Sequence, residues 1–449
     1  MTHGSISGDN EAELIVVGGG LVGLTLAIAC AEGGIRTIVV EAESAEALSS
    51  RGYDGRSSAV AYGSQQVLTA IGAWDRLAAD AQPIVDIRVT DGGWHVKGEG
   101  HGYVHYSHLD LLDSKPTPLP PDTESTTIIA CEPDQPAAPF GYIIENRLTR
   151  IALLERAKTC ANLTHLAPHI VTALDLASDA ARITLEDGSV LTGQLVAAAD
   201  GKQSALRRMA GIAAREFGYS QTAIVCTVMH EQPHHGVAHE HFLPAGPFAM
   251  LPMTDETRAD GTVRHRSSIV WSEDPRLVPM LLKLDDDAFG KEIERRFGSS
   301  LGQVRPLGLR FSYPLTMVLA DTYVRDRFAL TGDAAHGIHP IAGQGFNLGV
   351  RDVAALAEVL VDASRAGLDL GAMEVLDRYA RWRRFDNLML STFMDGLTRL
   401  FSNDFAPLRM ARDLGFAIFN RTMPLKRLAM RHAMGIVGKL PRLVQGRPL

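Results

Sequence analysis

Residues 14–17, LIVV, form a short apolar run, and Gly18-x-Gly20-x-x-Gly23 follows it directly. An apolar, helix-forming stretch continues to about Gly33, and TIVVE closes the unit at Glu41, 18 positions past Gly23. The order is strand, tight turn, helix, then a second strand ending in an acid. Each glycine has its own task. Gly18 permits the turn, Gly20 lets backbone approach a pyrophosphate at the helix N-terminus, and Gly23 lets helix and strand pack closely. Glu41 stands where a carboxylate accepts a hydrogen bond from a ribose hydroxyl, which disfavours NADP at this site and leaves NAD or FAD. Residues 14–31 carry no charge and by length border on a membrane span. Consecutive glycines would open that backbone to lipid, whereas the nucleotide reading explains them.

Two later stretches repeat the logic. LVAAADGKQSALR (195–207) is an apolar strand running into Asp200 and Gly201, with Ser204 and Arg207 beyond. RFALT (327–331) reads as a strand ended by Gly332 and Asp333, and the glycine-rich segment to Asp352 leads into an apolar helix. In an open α/β sheet, ligands bind beyond the carboxyl ends of the strands. A ligand touched from three such ends is long, which favours FAD over NAD. No second GxGxxG is present, so a reduced nicotinamide would have no Rossmann domain of its own.

At 449 residues the chain exceeds one small core. Its 46% hydrophobic and 21% charged content is that of a globular protein, and a net charge of −8 excludes chain-wide electrostatic binding of nucleic acid. Cys30, Cys131, Cys160 and Cys226 are dispersed without a C-x-x-C, which predicts neither a disulfide framework nor structural zinc, and fits a reducing cytosol. The start, MTHGSISGDNEAE, lacks the basic and apolar regions of a signal peptide, so a cytoplasmic location is expected.

The three motifs, in this order, resemble the group A flavoprotein aromatic hydroxylases. More narrowly, the chain is similar to the ubiquinone-biosynthesis hydroxylases, the polyprenyl-phenol monooxygenases. That likeness rests on DGRSSAVAYGSQQVL (54–68), GYIIENRLTRIAL (141–153), FLPAGPFAMLPM (242–253) and GDAAHGIHPIAGQGFNLGVRDVA (332–354). Carried over by position, it implies that Gly18, Gly20, Gly23 and Glu41 hold the ADP half of FAD. Arg56 and Arg147 match residues near the cofactor, and Asp200 and Gly201 match a motif linked to FAD and the reduced nicotinamide. Asp333 matches the aspartate on the ribityl chain. Pro340, Gly343, Gln344, Gly345, Asn347 and Leu348 match the backbone lining the isoalloxazine ring, where glycines let peptide N–H groups approach the flavin.

The implied reaction inserts one oxygen atom from O2 into the ring of a polyprenylated phenol through a flavin C4a-hydroperoxide, with NAD(P)H or a reduced carrier protein as donor. A small soluble aromatic substrate, or a non-catalytic flavoprotein scaffold, are the other readings. The flavin carries this chemistry, so no protein nucleophile or triad is required. His336 and His339 are candidate acid–base groups by residue type, and loop positioning is the expected role for both. His234, His235, His239 and His241 invite a metal, but Pro233 and Gly236 interrupt any helical ligand spacing, and an exposed polar loop is expected instead.

Residues 401–449 hold nine Lys or Arg against two acids. Leu408, Ala411, Leu414 and Ile418 recur at helical spacing, and a second pattern with Leu425, Leu428 and Ala429 begins after Pro424. Such a basic, amphipathic region suits a membrane surface or a biosynthetic partner, or else packs on the core with a solvated basic face. The expected fold is α/β: a Rossmann-like FAD-binding domain (1–85, 141–213, 313–370), an inserted antiparallel-sheet substrate domain (86–140, 214–312) and a C-terminal helical region (371–449). Residues 107–138, with PTPLPP, read as an insertion or mobile loop in the substrate domain.

Overall fold

Short apolar strands build the first sheet of this computed structural model, which describes residues 10–44, 46–47, 55–91, 103–111, 138–338, 344–383 and 422–449. Glu11–Val17 lies between Val190–Ala198 and Thr37–Val40 and runs parallel to both. Phe328–Leu330 continues the parallel order beyond Val190–Ala198, and Leu163–Leu166 continues it beyond Thr37–Val40. Leu14, Ile15 and Val16 are fully buried, as strands covered on both faces require. One cover is the helix Leu21–Glu32, buried from Gly23 to Ala31. It lies so close to the helix Gln344–Arg365 that a Cβ on Gly33 would meet Val361 at 2.3 Å.

The second sheet has eight strands in the order His336–Gly337, Val304–Ala320, Ala214–His230, Val263–Glu273, Gly246–Thr257, Val237–Leu243, Asp86–Asp91, Tyr103–Ser107. Neighbours are antiparallel except Val237–Leu243 with Asp86–Asp91. The side-chain period of two gives the sheet two different faces. On one, Ile224, Cys226, Phe248, Met250, Ile269 and Trp271 pack under the helix Asp286–Phe297 through Phe289, Ile293 and Phe297. The other face turns to the first unit: Ala238 and Met253 join the main core, and Ala223 and Val225 pack with Tyr219, Val270 and Tyr313. A small third sheet of Ser57–Ala61, Gly141–Glu145 and Gln82–Ile84 lies alongside.

Two expectations change here. The strand Val304–Ala320 runs unbroken through position 312, where the second substrate segment was expected to end. It stays paired with Ala214–His230 as far as Ala320 opposite Ala214, so residues 313–320 belong to the antiparallel sheet. The histidine-rich stretch is also not an exposed loop. His235 (φ 52°) and Gly236 (φ 69°) make a turn, and Val237–Leu243 is a strand. Buried His234 places Nε2 2.9 Å from Met253 O and accepts from Gly236 N at 3.0 Å on Nδ1, so both ring nitrogens are occupied. His239 and His241 lie against the Phe297 ring, at 5.1 and 5.3 Å between centroids. Most of 107–138 lies outside the described residues.

Candidate cofactor and active site

The three motif strands are adjacent in the first sheet, and their carboxyl ends meet. Gly18 N donates to Val40 O (2.8 Å), Ala199 N to Val17 O (2.8 Å) and Thr331 N to Ala198 O (3.0 Å). The fingerprint glycines divide into two kinds. A Cβ on Gly18 would come within 2.5 Å of Ala199 O, and Gly18 has φ +105°. A Cβ on Gly23 would collide with Gly18 O at 1.8 Å. These two are glycine because the turn and the helix are tight. Gly20, Gly201 and Gly345 have nothing within 4 Å of a built Cβ, so their bare faces border open space at the strand ends.

Polar groups face the same region. Glu41 accepts from Gly19 N (2.6 Å) and Glu43 N (3.0 Å), which leaves a carboxylate with capacity for a hydroxyl donor. Asp200 Oδ2 accepts from Leu206 N at 3.1 Å, while buried Oδ1 has no hydrogen-bond partner among the described residues. Asp333 lies in the 3-10 turn Gly332–Ala334; burial pushes its carboxyl up against the opposing pull of Lys202 and His336. An orphaned buried acceptor and glycine faces open to space are what a polar, extended ligand would complete, so these residues fit FAD.

Arg56 and Arg147 are far apart in sequence and close in space, because Ser57–Ala61 pairs with Gly141–Glu145 and Asn146 N donates to Arg56 O at 3.0 Å. The Arg56 guanidinium lies over the Tyr313 ring, 5.9 Å from its centroid. Arg147 lines a pocket with Glu145, Met253, Thr254 and Arg266, and its buried Nε has no partner among the described residues. Gln344 opens the helix Gln344–Arg365. The Asn347 side chain reaches the third sheet, taking Ala61 N (2.8 Å) and donating to Ala59 O (2.8 Å). Leu348 is buried against Ile338. His339, Pro340 and Gly343 lie outside the described residues.

His336 is buried at 1% exposure and bonded through Nε2 to Asp352, itself fully buried. Asp352 also takes Arg383 Nε at 2.8 Å and Gly332 N at 3.1 Å. This places His336 in a network that fixes the turn carrying Asp333.

The family model described as FAD binding domain matches residues 11–385. The chain belongs to this family of FAD-binding monooxygenases. It is 49% identical over 447 residues to the ubiquinone hydroxylase UbiL of Rhodospirillum rubrum, covering 99% of this chain and 95% of that protein. It is 33% identical to the 3-demethoxyubiquinol 3-hydroxylase of Escherichia coli, covering 95% and 100%. Among solved structures, p-nitrophenol 4-monooxygenase PnpA from Pseudomonas putida DLL-E4 shares the fold at TM-score 0.71 and 20% identity, over 94% of this chain and 98% of that one. The protein is thus an FAD-dependent aromatic hydroxylase of the ubiquinone-biosynthesis group.

Sequence reasoning missed three positioning groups. Asp352 carries the one readable signal, an acid inside the apolar run VRDVAALAEVL. Arg383 has none. Lys202, inside the second motif, is the third: Nζ donates to Thr316 O (3.1 Å) and Ile338 O (3.3 Å), and its stem fills the space beside Gly337. Buried Arg207 does similar work, donating to Ala334 O (2.8 Å) and Lys202 O (3.0 Å) and so joining the second motif to the third.

Proposed function

We propose that this enzyme hydroxylates the aromatic ring of a polyprenylated phenol in ubiquinone biosynthesis. The observation that carries the reading is the opposition of two surfaces: the strand ends with their open glycine faces, and the inward face of the antiparallel sheet. FAD, when bound, supplies the activation of O2 for ring hydroxylation. Gly18, Gly20 and Glu41 would hold its ADP half and Asp333 its ribityl chain; Arg56 and Arg147 would flank it. The apolar inward face, with Val225, Val270 and Ala249, would seat the ring and keep water from it. The electron donor is a reduced nicotinamide or a carrier protein. Mass-spectrometric profiling of quinone intermediates in a strain lacking this gene tests the reading. Accumulation of a prenylated phenol one oxygen short supports it. Normal ubiquinone without such an intermediate, in a strain with no redundant hydroxylase, moves the substrate to a small soluble aromatic.

We also propose peripheral contact with the inner face of the membrane through the helix Met423–Ala433. Leu425 and Leu428 are 47% and 52% exposed, whereas Met434, Ile436, Leu443 and Val444, later in the terminus, are buried in the core. The basic residues Lys426 and Arg427 turn away from solvent: Lys426 Nζ pairs with Asp110 (2.8 Å) and Arg427 Nε donates to Asp110 O (2.8 Å). The apolar positions therefore support this reading more than the charges do. No helix among the described residues is long and apolar enough to cross a membrane.

A further inference from the structure

Across the inward face of the antiparallel sheet, one row of paired positions runs Val89, Glu240, Ala249, Val270, Val225, Phe311. Glu240 is the ionisable member of this row. Its chain neighbours Ala238 and Phe242, on the same face, are both buried. The row's far end meets the Arg56 segment, because a Cβ on Gly55 would come 2.5 Å from Phe311. The same face meets Ser57, whose Oγ donates to Ser268 Oγ at 2.7 Å. At about 4.8 Å per strand, Glu240 stands three strands, roughly 14 Å, from Val225. It is therefore on this shared face but clear of the Arg56 segment.

The Glu240 carboxyl makes no hydrogen bond or ion pair among the described residues, yet it keeps some accessible surface. The side chains beside it on this face are Val89 and Ile87 on one flanking strand, Ala249 and Leu251 on the other. Tyr106, beyond Ile87, is titratable, but burial pushes it up to about 12, so it stays neutral. Asp91 holds the register position beside Phe242, and Arg88, His239 and His241 occupy positions of the opposite face. With no compensating charge among the described residues, burial pushes the Glu240 carboxyl up to about 7. A carboxyl set among apolar side chains without a partner costs stability, and folds retain such groups where a ligand completes them.

We propose that Glu240 is the substrate-side base of this enzyme: its carboxylate accepts the hydrogen bond of the substrate's phenolic O–H and takes that proton. The proton passes from phenol oxygen to Glu240 Oε, leaving a phenolate, whose ring is the more electron-rich for hydroxylation. This inference rests on the phenolic substrate proposed above.

The test uses FAD-loaded wild type, Glu240→Leu and Glu240→Gln, with a short-chain prenylphenol and its O-methyl ether as probes. Binding is read from the perturbation of oxidised-flavin absorbance. Wild type should prefer the phenol by about tenfold, and Glu240→Leu should lose that preference while retaining its flavin. Glu240→Gln, nearly isosteric, should lower kcat/KM by about 100-fold and abolish the rise of kcat/KM with pH through neutrality. A Glu240→Leu protein that keeps the phenol preference, or a Glu240→Gln protein that keeps the wild-type pH profile, overturns the assignment. Wild type that binds phenol and ether equally overturns this role alone. Wild type that binds neither overturns the phenolic reading and this role with it.

Discussion

Asp352, fully buried in the helix Gln344–Arg365, is the hydrogen-bond partner of His336 Nε2, sixteen residues earlier in the chain. Its other oxygen takes Arg383 Nε at 2.8 Å. Through Gly332 N the same carboxylate holds the turn that carries Asp333. One side chain thereby ties the end of a sheet strand, the helix after the glycine-rich segment and the chain beyond residue 370 into one frame.

Asp352→Asn should cost about 3–5 kcal/mol, because it removes a buried carboxylate charge paired with the buried Arg383 and His336. Chemical denaturation of the apo-protein measures this. Burial alone would raise the Asp352 carboxyl, but His336 and Arg383 outweigh it and hold the group at about 2. The folded value lies below the unfolded one, so the ionised group contributes stability that is complete above about pH 4 and lost as pH falls towards 2. The variant should lose that acid-range dependence; an unchanged acid limb would place the dependence elsewhere.

Gly20→Val and Gly23→Ala should fail differently. Position 20 has open space around a Cβ, so the valine protein should fold with an unchanged apo melting temperature and bind little FAD. Position 23 has Gly18 O at 1.8 Å from a Cβ, so even alanine should lower the apo melting temperature. Thermal melts with and without FAD separate the two. Full flavin occupancy in Gly20→Val would remove the pyrophosphate role from this turn.

Asp333→Asn should weaken FAD binding by at least about tenfold if the carboxylate bonds the ribityl chain. Apo stability should move the other way. Burial holds the Asp333 carboxyl above its ordinary value, so its contribution is complete below the unfolded value and is lost as pH rises through the folded one. At pH 7 the neutral amide should melt higher than wild type in the absence of FAD, and lower relative to wild type when FAD is saturating. A variant purified with full yellow flavin would refute the ribityl role.

Leu425→Ser with Leu428→Ser should reduce flotation with anionic liposomes while leaving the melting temperature within about 2 °C, since both side chains are exposed. Deleting 421–449 is a poorer experiment. Gly63 N donates to Met434 O (2.8 Å), and Arg442 bonds Glu358 and Asp362 (both 2.6 Å), so truncation would strip the core as well. Unchanged flotation of the double variant would leave this helix a purely structural element.

The cofactor half was legible because its signals are local. The GxGxxG turn, the apolar strand before it and the acid closing the next strand are set by backbone sterics and by the depth of a parallel strand, and both act over a few residues. The same holds for Asp200-Gly201 and Gly332-Asp333, each a strand end whose glycine and acid lie side by side in the sequence. The histidine stretch departs from the expected loop because metal spacing, turn and strand compete there, and the contact that decides the matter comes from Phe297, over fifty residues away.

The sequence by itself determined the strand–turn–helix units, the FAD family and the glycines that backbone closeness demands, since each depends on residues adjacent in the chain. Only the tertiary structure decided which polar side chains stand among apolar neighbours with partners, as Asp352 does, and which have none among the described residues, as Glu240 has. Period-two alternation along a strand says that Glu240 shares a face with Ala238 and Phe242. It does not say that this face is the one turned towards the cofactor unit, because that depends on which side of the sheet the helix Asp286–Phe297 covers.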